Sequence, residues 1–114
     1  MKIILYQYQS EGLKVEVAAT INDDGDLIIE GYDIGDIVKE LKGDLDYEYY
    51  LIVRKRDKKE LLRSLNLTFK KWTQKEDKQL VQALDQKFAG RHAFSAIKQH
   101  LEKNDIPFDS FFWS

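Results

Sequence analysis

Hydrophobic and polar residues alternate along much of the first third of the chain, which is the pattern of half-buried strands. Residues 2–9, 13–21 and 26–32 each show this alternation or a run of β-branched and aromatic residues. The segments between them, residues 10–12 and 22–25, contain Gly, Asp, Asn and Ser, which favour tight turns. The chain is therefore predicted to begin with a three-stranded antiparallel β-meander.

A helical spacing follows the third predicted strand. Four apolar residues recur at i, i+3, i+4 and i+7, namely Ile34, Ile37, Val38 and Leu41. Asp33 is the predicted N-cap of this short helix, and Gly43 supplies the positive-φ residue that ends it. Residues 44–54 are rich in aromatic and β-branched side chains and predict a fourth strand.

Helical spacing dominates the second half of the chain. Asp57 and Glu60 have the spacing of a capping box and precede a stripe of leucines. Thr73 and Glu76 repeat this spacing before a longer apolar stripe that ends at Gly90. The apolar residues of the last predicted helix are Phe94, Ile97 and Leu101.

The order of these elements predicts the α+β class, in a single domain that spans residues 1–114. We expect an antiparallel sheet of about four strands in the order β-β-β-α-β-α-α-α, with the helices packed on one face. A chain of 114 residues that is 43% hydrophobic and 12% aromatic can bury a hydrophobic core large enough to fold without disulfides or structural metal ions.

The composition favours a reducing compartment. The chain has no cysteine, which excludes disulfides and thiolate chemistry. No apolar run is long enough for a signal peptide or a membrane span. We therefore expect a cytoplasmic protein without a membrane partner, without a cofactor, and monomeric or weakly homodimeric.

Charge divides the chain in two. Residues 1–53 carry four Lys or Arg against twelve Asp or Glu, whereas residues 54–114 carry fourteen against eight. The formal net charge of −2 therefore hides an acidic half and a basic half. No Gly-rich phosphate loop, nucleophile elbow or metalloprotease motif is present, so no catalytic or metal-binding residue is predicted. The chain is expected not to be an enzyme.

A row of carboxylates in the fourth strand is the first candidate site. The period of two along a strand places Asp44, Asp46 and Glu48, here called the acidic row, on one face. Tyr47 and Tyr49 lie on the other face. The preferred hypothesis is a surface that docks an unknown partner protein. The alternatives are a solvated strand face, or a loose cation site that serves a metal-dependent or small-molecule enzyme.

The basic segment 54–78 gives a second hypothesis. It contains ten Lys or Arg against four acids, with an aromatic residue among the cations. That combination suits nucleic acid, whose phosphates need cations and whose bases stack on rings. The residues proposed for this alternative are Arg54, Arg56, Lys70, Lys71 and Trp72. It is the less favoured hypothesis, because an acidic chain repels phosphate at long range and the basic segment could pack beside the acidic half.

Four aromatics crowd the last seven residues of the chain: Phe108, Phe111, Phe112 and Trp113. Aromatic surface of this size needs cover. The tail is predicted to form a last strand or plug over the core, or else a patch that binds a partner.

Three segments together resemble a family of small uncharacterised bacterial proteins. They are the stretch of residues 43–49 (Gly-Asp-Leu-Asp-Tyr-Glu-Tyr), the stretch of residues 87–90 and the ending Ile106-Pro107-Phe108 with the aromatics that follow it. The resemblance spans about the last two thirds of the chain. It implies membership of that family and carries no known activity.

Overall fold

The computed structural model describes residues 1–36 and 46–113, apart from the side chain of Trp113. Its strands form a single five-stranded sheet in the order β1-β2-β3-β4-β5, with every neighbouring pair antiparallel. The strands are β1 (Lys2–Ser10), β2 (Leu13–Ile21), β3 (Leu27–Ile34), β4 (Asp46–Val53) and β5 (Asp109–Trp113). The α+β class and the opening meander are confirmed.

The two hairpin turns form where glycines were expected to allow them. Gly12 and Gly25 have φ angles of 82° and 83°, in the left-handed region where L-residues other than glycine are strained. In the second turn the Asn22 side-chain oxygen accepts hydrogen bonds from the backbone N–H groups of Asp24 (3.0 Å) and Asp26 (2.9 Å). These bonds fix the start of β3.

The third strand is longer than predicted, and the predicted cap at Asp33 is wrong. Asp33 and Ile34 continue the β3 ladder, with Asp33 paired to Val15 on one side and to Tyr47 on the other. Backbone pairing on both sides holds Asp33 and Ile34 in the strand, so no helix begins at Asp33. Asp36 is helical. The rest of the predicted helix from Ile37 onward, its end at Gly43 and Asp44 lie outside the described residues.

Three helices occur in the described second half: α1 (Lys58–Ser64), α2 (Gln74–Phe88) and α3 (Ala93–Lys103). The capping box predicted at Thr73 and Glu76 is confirmed. The one predicted at Asp57 is wrong, because a 3₁₀ turn at Lys55–Asp57 leads directly into α1 and the Asp57 side chain makes no cap hydrogen bond. None of the helices in the described ranges is long and apolar enough to cross a membrane.

The aromatic tail supplies the strand that the expected count of about four strands did not include. β5 pairs with β4 from Ile52↔Asp109 to Glu48↔Trp113. The rings of Tyr50 and Phe111, which are paired in this register, stack with centroids 5.2 Å apart. Aromatic cross-strand pairs of this kind stabilise a sheet. The pairing of β5 with β4 confirms the prediction that the tail forms a last strand.

The core lies between one face of the sheet and the helices, as expected from the alternation. Leu27 and Ile29 of β3 and Leu51 and Val53 of β4 point to this inner face and are fully buried. The helices complete the same cluster with Leu61, Leu62, Leu80, Val81, Leu84, Ile97 and Leu101.

The outer face of the sheet carries carboxylates, including Glu16 and Glu30, both 3.7 Å from the Lys2 ammonium.

Candidate functional site

The acidic row does not form a pocket in the part of the chain that the structure describes. Asp46 and Glu48 lie on the outer face of β4, and Asp46 is exposed. Glu48 is half-buried and accepts a hydrogen bond from the Tyr50 hydroxyl at 3.1 Å. Neither carboxylate lines a cavity described below. The two form part of an open sheet face, and Asp44 lies outside the described residues.

No group of three His, Asp or Glu side chains among residues 1–36 and 46–113 is placed to hold a metal ion. Catalysis in a small-molecule or metal-dependent enzyme also needs a concave site where functional groups converge. The described carboxylates of the acidic row therefore provide no set of metal ligands for the enzyme hypothesis.

Tyr49, one of the two proposed partner-binding tyrosines, is occupied by contacts within the protein. Its hydroxyl donates to the Asp33 carboxylate at 2.8 Å, and burial together with that carboxylate raises the pKa of Tyr49. Its ring lies over Gly31, where an added Cβ would come within 2.1 Å of the ring. The Phe94 ring meets it edge-on at 4.8 Å. Tyr49 therefore holds α3 against the sheet.

Tyr47 instead lies beside exposed aromatic surface. Its ring centroid is 5.7 Å from that of Phe112, a side chain that is 68% exposed. The two rings border a cavity of about 450 Å³ between the end of β5 and α3. We call this region, with the neighbouring Asp46, the acidic aromatic end of the sheet.

A larger cavity, of about 610 Å³, lies at the opposite end of β4. Four cationic side chains and two aromatic rings surround it, with a single carboxylate at one side. We call it the basic aromatic cleft. It is lined by Asp26, Arg54, Lys55, Arg56, Lys59, Phe69 and Trp72.

The chain builds the cleft from one continuous segment that turns back on itself. β4 ends at Val53, and the 3₁₀ turn that follows presents consecutive cations at Lys55 and Arg56. After α1, the loop of residues 65–73 returns to the cavity and adds Phe69 and Trp72. Their rings meet edge to face, with centroids 5.1 Å apart.

Asp26 fixes the cationic side of the cleft. It is nearly buried, and its carboxylate accepts from the Lys55 backbone N–H at 2.8 Å and from the Arg54 guanidinium at 3.4 Å. The Arg54 guanidinium also donates to Asp109 of β5 at 2.9 Å. Two carboxylates thus hold Arg54, which makes it a structural clamp between three strand ends.

Trp72 is held just as firmly on the aromatic side. Its indole N–H donates to the Asp77 carboxylate at 2.9 Å. The buried ammonium of Lys58 lies 2.5 Å from the same carboxylate oxygen and 5.2 Å from the indole centroid. This network fixes the orientation of the indole ring before any ligand arrives.

Few carboxylates lie near the remaining cations of the cleft. Arg56 has a side chain that is 83% exposed and lies 3.7 Å from Asp57. The side-chain ammonium groups of Lys55 and Lys59 have no carboxylate within 4.0 Å among the residues that the structure describes. The sequence also suggested that the basic segment packs beside the acidic half. In the described ranges one ion pair, Arg54–Asp26, joins the two halves.

The structure thus brings together Arg54, Arg56 and Trp72, three of the five residues proposed for nucleic acid. Lys70 and Lys71 are exposed in the adjoining loop and do not line the cavity. Four lining residues were not among the five proposed, namely Lys55, Lys59, Phe69 and Asp26. The two lysines lie within the basic segment. Phe69 could have been found, because it lies three positions before Trp72. Asp26 gave no signal, because it reaches the cleft through the sheet from a distant hairpin.

Comparison with known proteins places the chain in no family. No family model, no curated protein and no solved structure matches it. The resemblance to small bacterial proteins stays a prediction that rests on the quoted motifs. Function must therefore be argued from the geometry of the sites.

Proposed function

We propose that this protein is a non-enzymatic binding module whose main site is the basic aromatic cleft. Its ligand carries anionic groups beside a planar or apolar group. The observation that supports this most directly is the composition of the 610 Å³ cavity, in which cations and aromatic rings meet across one concave surface. Cavities of this size suit small ligands or single residues of larger ones.

The cations of the cleft are available to a ligand. Lys55, Arg56 and Lys59 have weak or no carboxylate partners in the described chain, so a bound anion gains their field without breaking a strong ion pair. The one carboxylate that lines the cavity, Asp26, is already engaged by Arg54 and by the Lys55 backbone. It therefore opposes an incoming anion less than an unpaired carboxylate would.

The same lining argues for binding without chemistry. The cavity contains no serine, histidine or cysteine that could act as a nucleophile or a general base. Its carboxylate is tied to structural donors, and its arginine clamp spans Asp26 and Asp109. We therefore propose recognition rather than turnover.

A titration with sodium pyrophosphate, followed by backbone and indole NMR signals, tests this site. Pyrophosphate should shift the amide signals of residues 54–59 and the Trp72 indole N–H signal. Sodium chloride at matched ionic strength should not. The double variant Arg56→Glu/Lys59→Glu should lose these shifts, because both reversed side chains are exposed and line the cleft.

A matched control separates the cleft from overall charge. Lys14→Glu/Lys103→Glu changes the net charge equally at two exposed positions outside the cleft. It should keep the pyrophosphate response. Shifts that scatter over the surface, or that depend equally on both double variants, would show that the cleft is not a specific anion site.

The acidic aromatic end supports a second candidate function, docking of a partner protein. The specific observation is Phe112, which is 68% exposed while its ring packs on Tyr47. Exposed aromatics with a polar rim are common anchors at protein interfaces. If a partner is isolated, Phe112→Ser and Asp46→Lys should each weaken its binding, whereas Arg56→Glu should not. Unchanged binding in the first two variants would rule this surface out.

A further inference from the structure

We propose that the basic aromatic cleft binds single-stranded nucleic acid, with a base stacked on the rings of Phe69 and Trp72 and the flanking phosphates held by Arg56 and Lys59. This inference rests on the proposed function and names its ligand class. The inference requires aromatic rings on which a base can stack and cations placed along the path of the bound oligonucleotide. It also requires a reason to prefer nucleic acid to other anions.

The rings are prepared for stacking. Trp72 is fixed by its hydrogen bond to Asp77 and by the Lys58 ammonium near its ring. The Phe69 ring stands at 79° to it, so the two rings form a corner in the cavity wall. A base that enters this corner loses little to rearrangement of the protein, and stacking on an aromatic side chain is worth roughly 1–3 kcal/mol per base.

The positive charge continues beyond the cavity. Lys70 and Lys71 are exposed in the loop between Phe69 and Trp72. Neither lies within 4.0 Å of a carboxylate among the described residues. Cations therefore occur inside the cleft, at Arg56 and Lys59, and outside it on the loop that carries the rings. A polymer of phosphates can use both sets, whereas a mononucleotide reaches only one.

Other polyanions use only part of this arrangement. An acidic peptide satisfies the cations but offers no regular series of planar groups to the rings of Phe69 and Trp72. A duplex offers phosphates, but its bases are stacked on one another and cannot reach the cavity wall. The juxtaposition of rings and cations therefore favours a single strand over both.

Fluorescence anisotropy with a labelled oligothymidylate of about 12 nucleotides tests the inference, since single-strand sites span roughly 4–16 nucleotides. We expect binding that weakens steeply with salt. In Arg56→Glu/Lys59→Glu the slope of log K against log salt should become shallower by about 1.4, because each phosphate contact contributes about 0.7 in single strands. The control Lys14→Glu/Lys103→Glu should keep its slope.

Two further measurements test the stacking. Because the chain has two tryptophans, the variant Trp113→Phe leaves Trp72 as the sole indole reporter. Oligothymidylate should quench its fluorescence, and pyrophosphate at equal salt should not. Phe69→Leu removes a ring but keeps an apolar side chain. It should weaken oligonucleotide binding by about tenfold, the effect of losing roughly 1.4 kcal/mol of stacking, and leave the pyrophosphate response intact.

The outcomes separate the ligand class from the site. If polyglutamate or a duplex of equal length binds as tightly as the single strand, the nucleic-acid inference is overturned while the anion site stands. If Phe69→Leu and the wild type bind oligothymidylate equally, the stacking inference is overturned in the same way. If neither oligothymidylate nor pyrophosphate responds to Arg56→Glu/Lys59→Glu, the proposed function itself fails.

Discussion

Lys58 is among the most completely buried side chains in the protein, although lysine is rarely buried. Its ammonium is 2.5 Å from the Asp77 carboxylate, which also accepts the indole N–H of Trp72. A buried ammonium is tolerated only when it is paired and hydrogen-bonded. Asp77 therefore satisfies two buried donors at once and supports the wall of the cleft.

Removing Asp77 should cost more than removing Lys58. Asp77→Ala leaves an ammonium and an indole N–H without their acceptor, and breaking a buried pair in this way costs about 3–5 kcal/mol. Lys58→Met fills similar space, and Asp77, whose side chain is 14% exposed, still has the indole donor and some water. Urea unfolding followed by circular dichroism should rank the variants in this order. The reverse order would show that the pair does not behave as a buried ion pair.

His100 has a tautomer that its neighbours define. The Ser64 hydroxyl donates to the Leu61 carbonyl at 2.6 Å, so at 2.8 Å it accepts from the Nε2–H of His100. The Asn104 amide lies 3.4 Å from Nδ1, which makes that nitrogen the acceptor of a neutral ring. Burial, and then the charges of Lys87 and Lys103, lower the pKa of His100.

This shift predicts a stability loss in mild acid. Because the folded state lowers the pKa of His100, the unfolded chain takes up the proton more readily. Stability should therefore fall as the pH drops below the ordinary histidine value of 6.5 and level off below the folded pKa. Thermal melts should show a smaller loss over this range in His100→Gln than in the wild type. Equal losses would assign the pH dependence to other groups.

The two predicted capping boxes provide a comparison at the level of elements. Thr73 accepts from the Lys75 backbone N–H at 3.2 Å, and Glu76 reaches back to the Thr73 N–H at 2.7 Å. Asp57 makes no such bond. Thr73→Ala should therefore lower the free energy of unfolding by about 1 kcal/mol, while Asp57→Ala should change it by less than about 0.5 kcal/mol. Denaturant unfolding measures both. Equal losses would mean that the box at Thr73 adds nothing.

The elements that sequence reasoning placed well are those with strong local signals. Alternation and turn glycines defined β1, β2 and the hairpins, and helical spacing defined α2 and α3. The failure at Asp33 has a long-range cause. Its carboxylate accepts from Tyr49, sixteen residues away, and its backbone pairs with two strands, neither of which is visible in a local pattern.

The candidate site shows the same division. Arg54, Arg56 and Trp72 lie close together in sequence, and composition alone drew attention to them. Asp26 and Asp109, which clamp Arg54, come from other strands and meet it only because β3, β4 and β5 are neighbours. Sequence also could not show that Asp46 and Glu48 line neither of the two candidate cavities, because the shape of the surface around a strand depends on how the elements pack.

At the scale of the whole molecule, the two candidate surfaces lie at opposite ends of β4. Asp46 begins this strand and Arg54 directly follows its last residue, so the strand rise of about 3.3 Å per residue separates them by roughly 26 Å. This distance is about three times the Debye length of roughly 8 Å at physiological salt. The acidic end is therefore screened from the cleft, and the net charge of −2 does not prevent the cleft from binding an anion.

β5 runs between the acidic aromatic end and the basic aromatic cleft. Removing the tail should therefore affect both surfaces. Its backbone covers the edge of β4 over five paired positions, and its Asp109 helps to hold Arg54 at the cleft. Phe108, just before it, packs against the core. Phe108 is partly buried, so its apolar contact contributes on the order of 1 kcal/mol of the roughly 5–15 kcal/mol that stabilise a domain.

Deletion from Phe108 onward should therefore unfold the protein or cause it to aggregate through the exposed β4 edge. Size-exclusion chromatography with light scattering and a thermal melt would detect either result. Phe112→Ser is the matched control, because its side chain is already 68% exposed and should leave the melting midpoint nearly unchanged. A truncated chain that stays monomeric and melts as the wild type does would show that β5 adds no stability. The tail would then have to be explained by a partner at the acidic aromatic end.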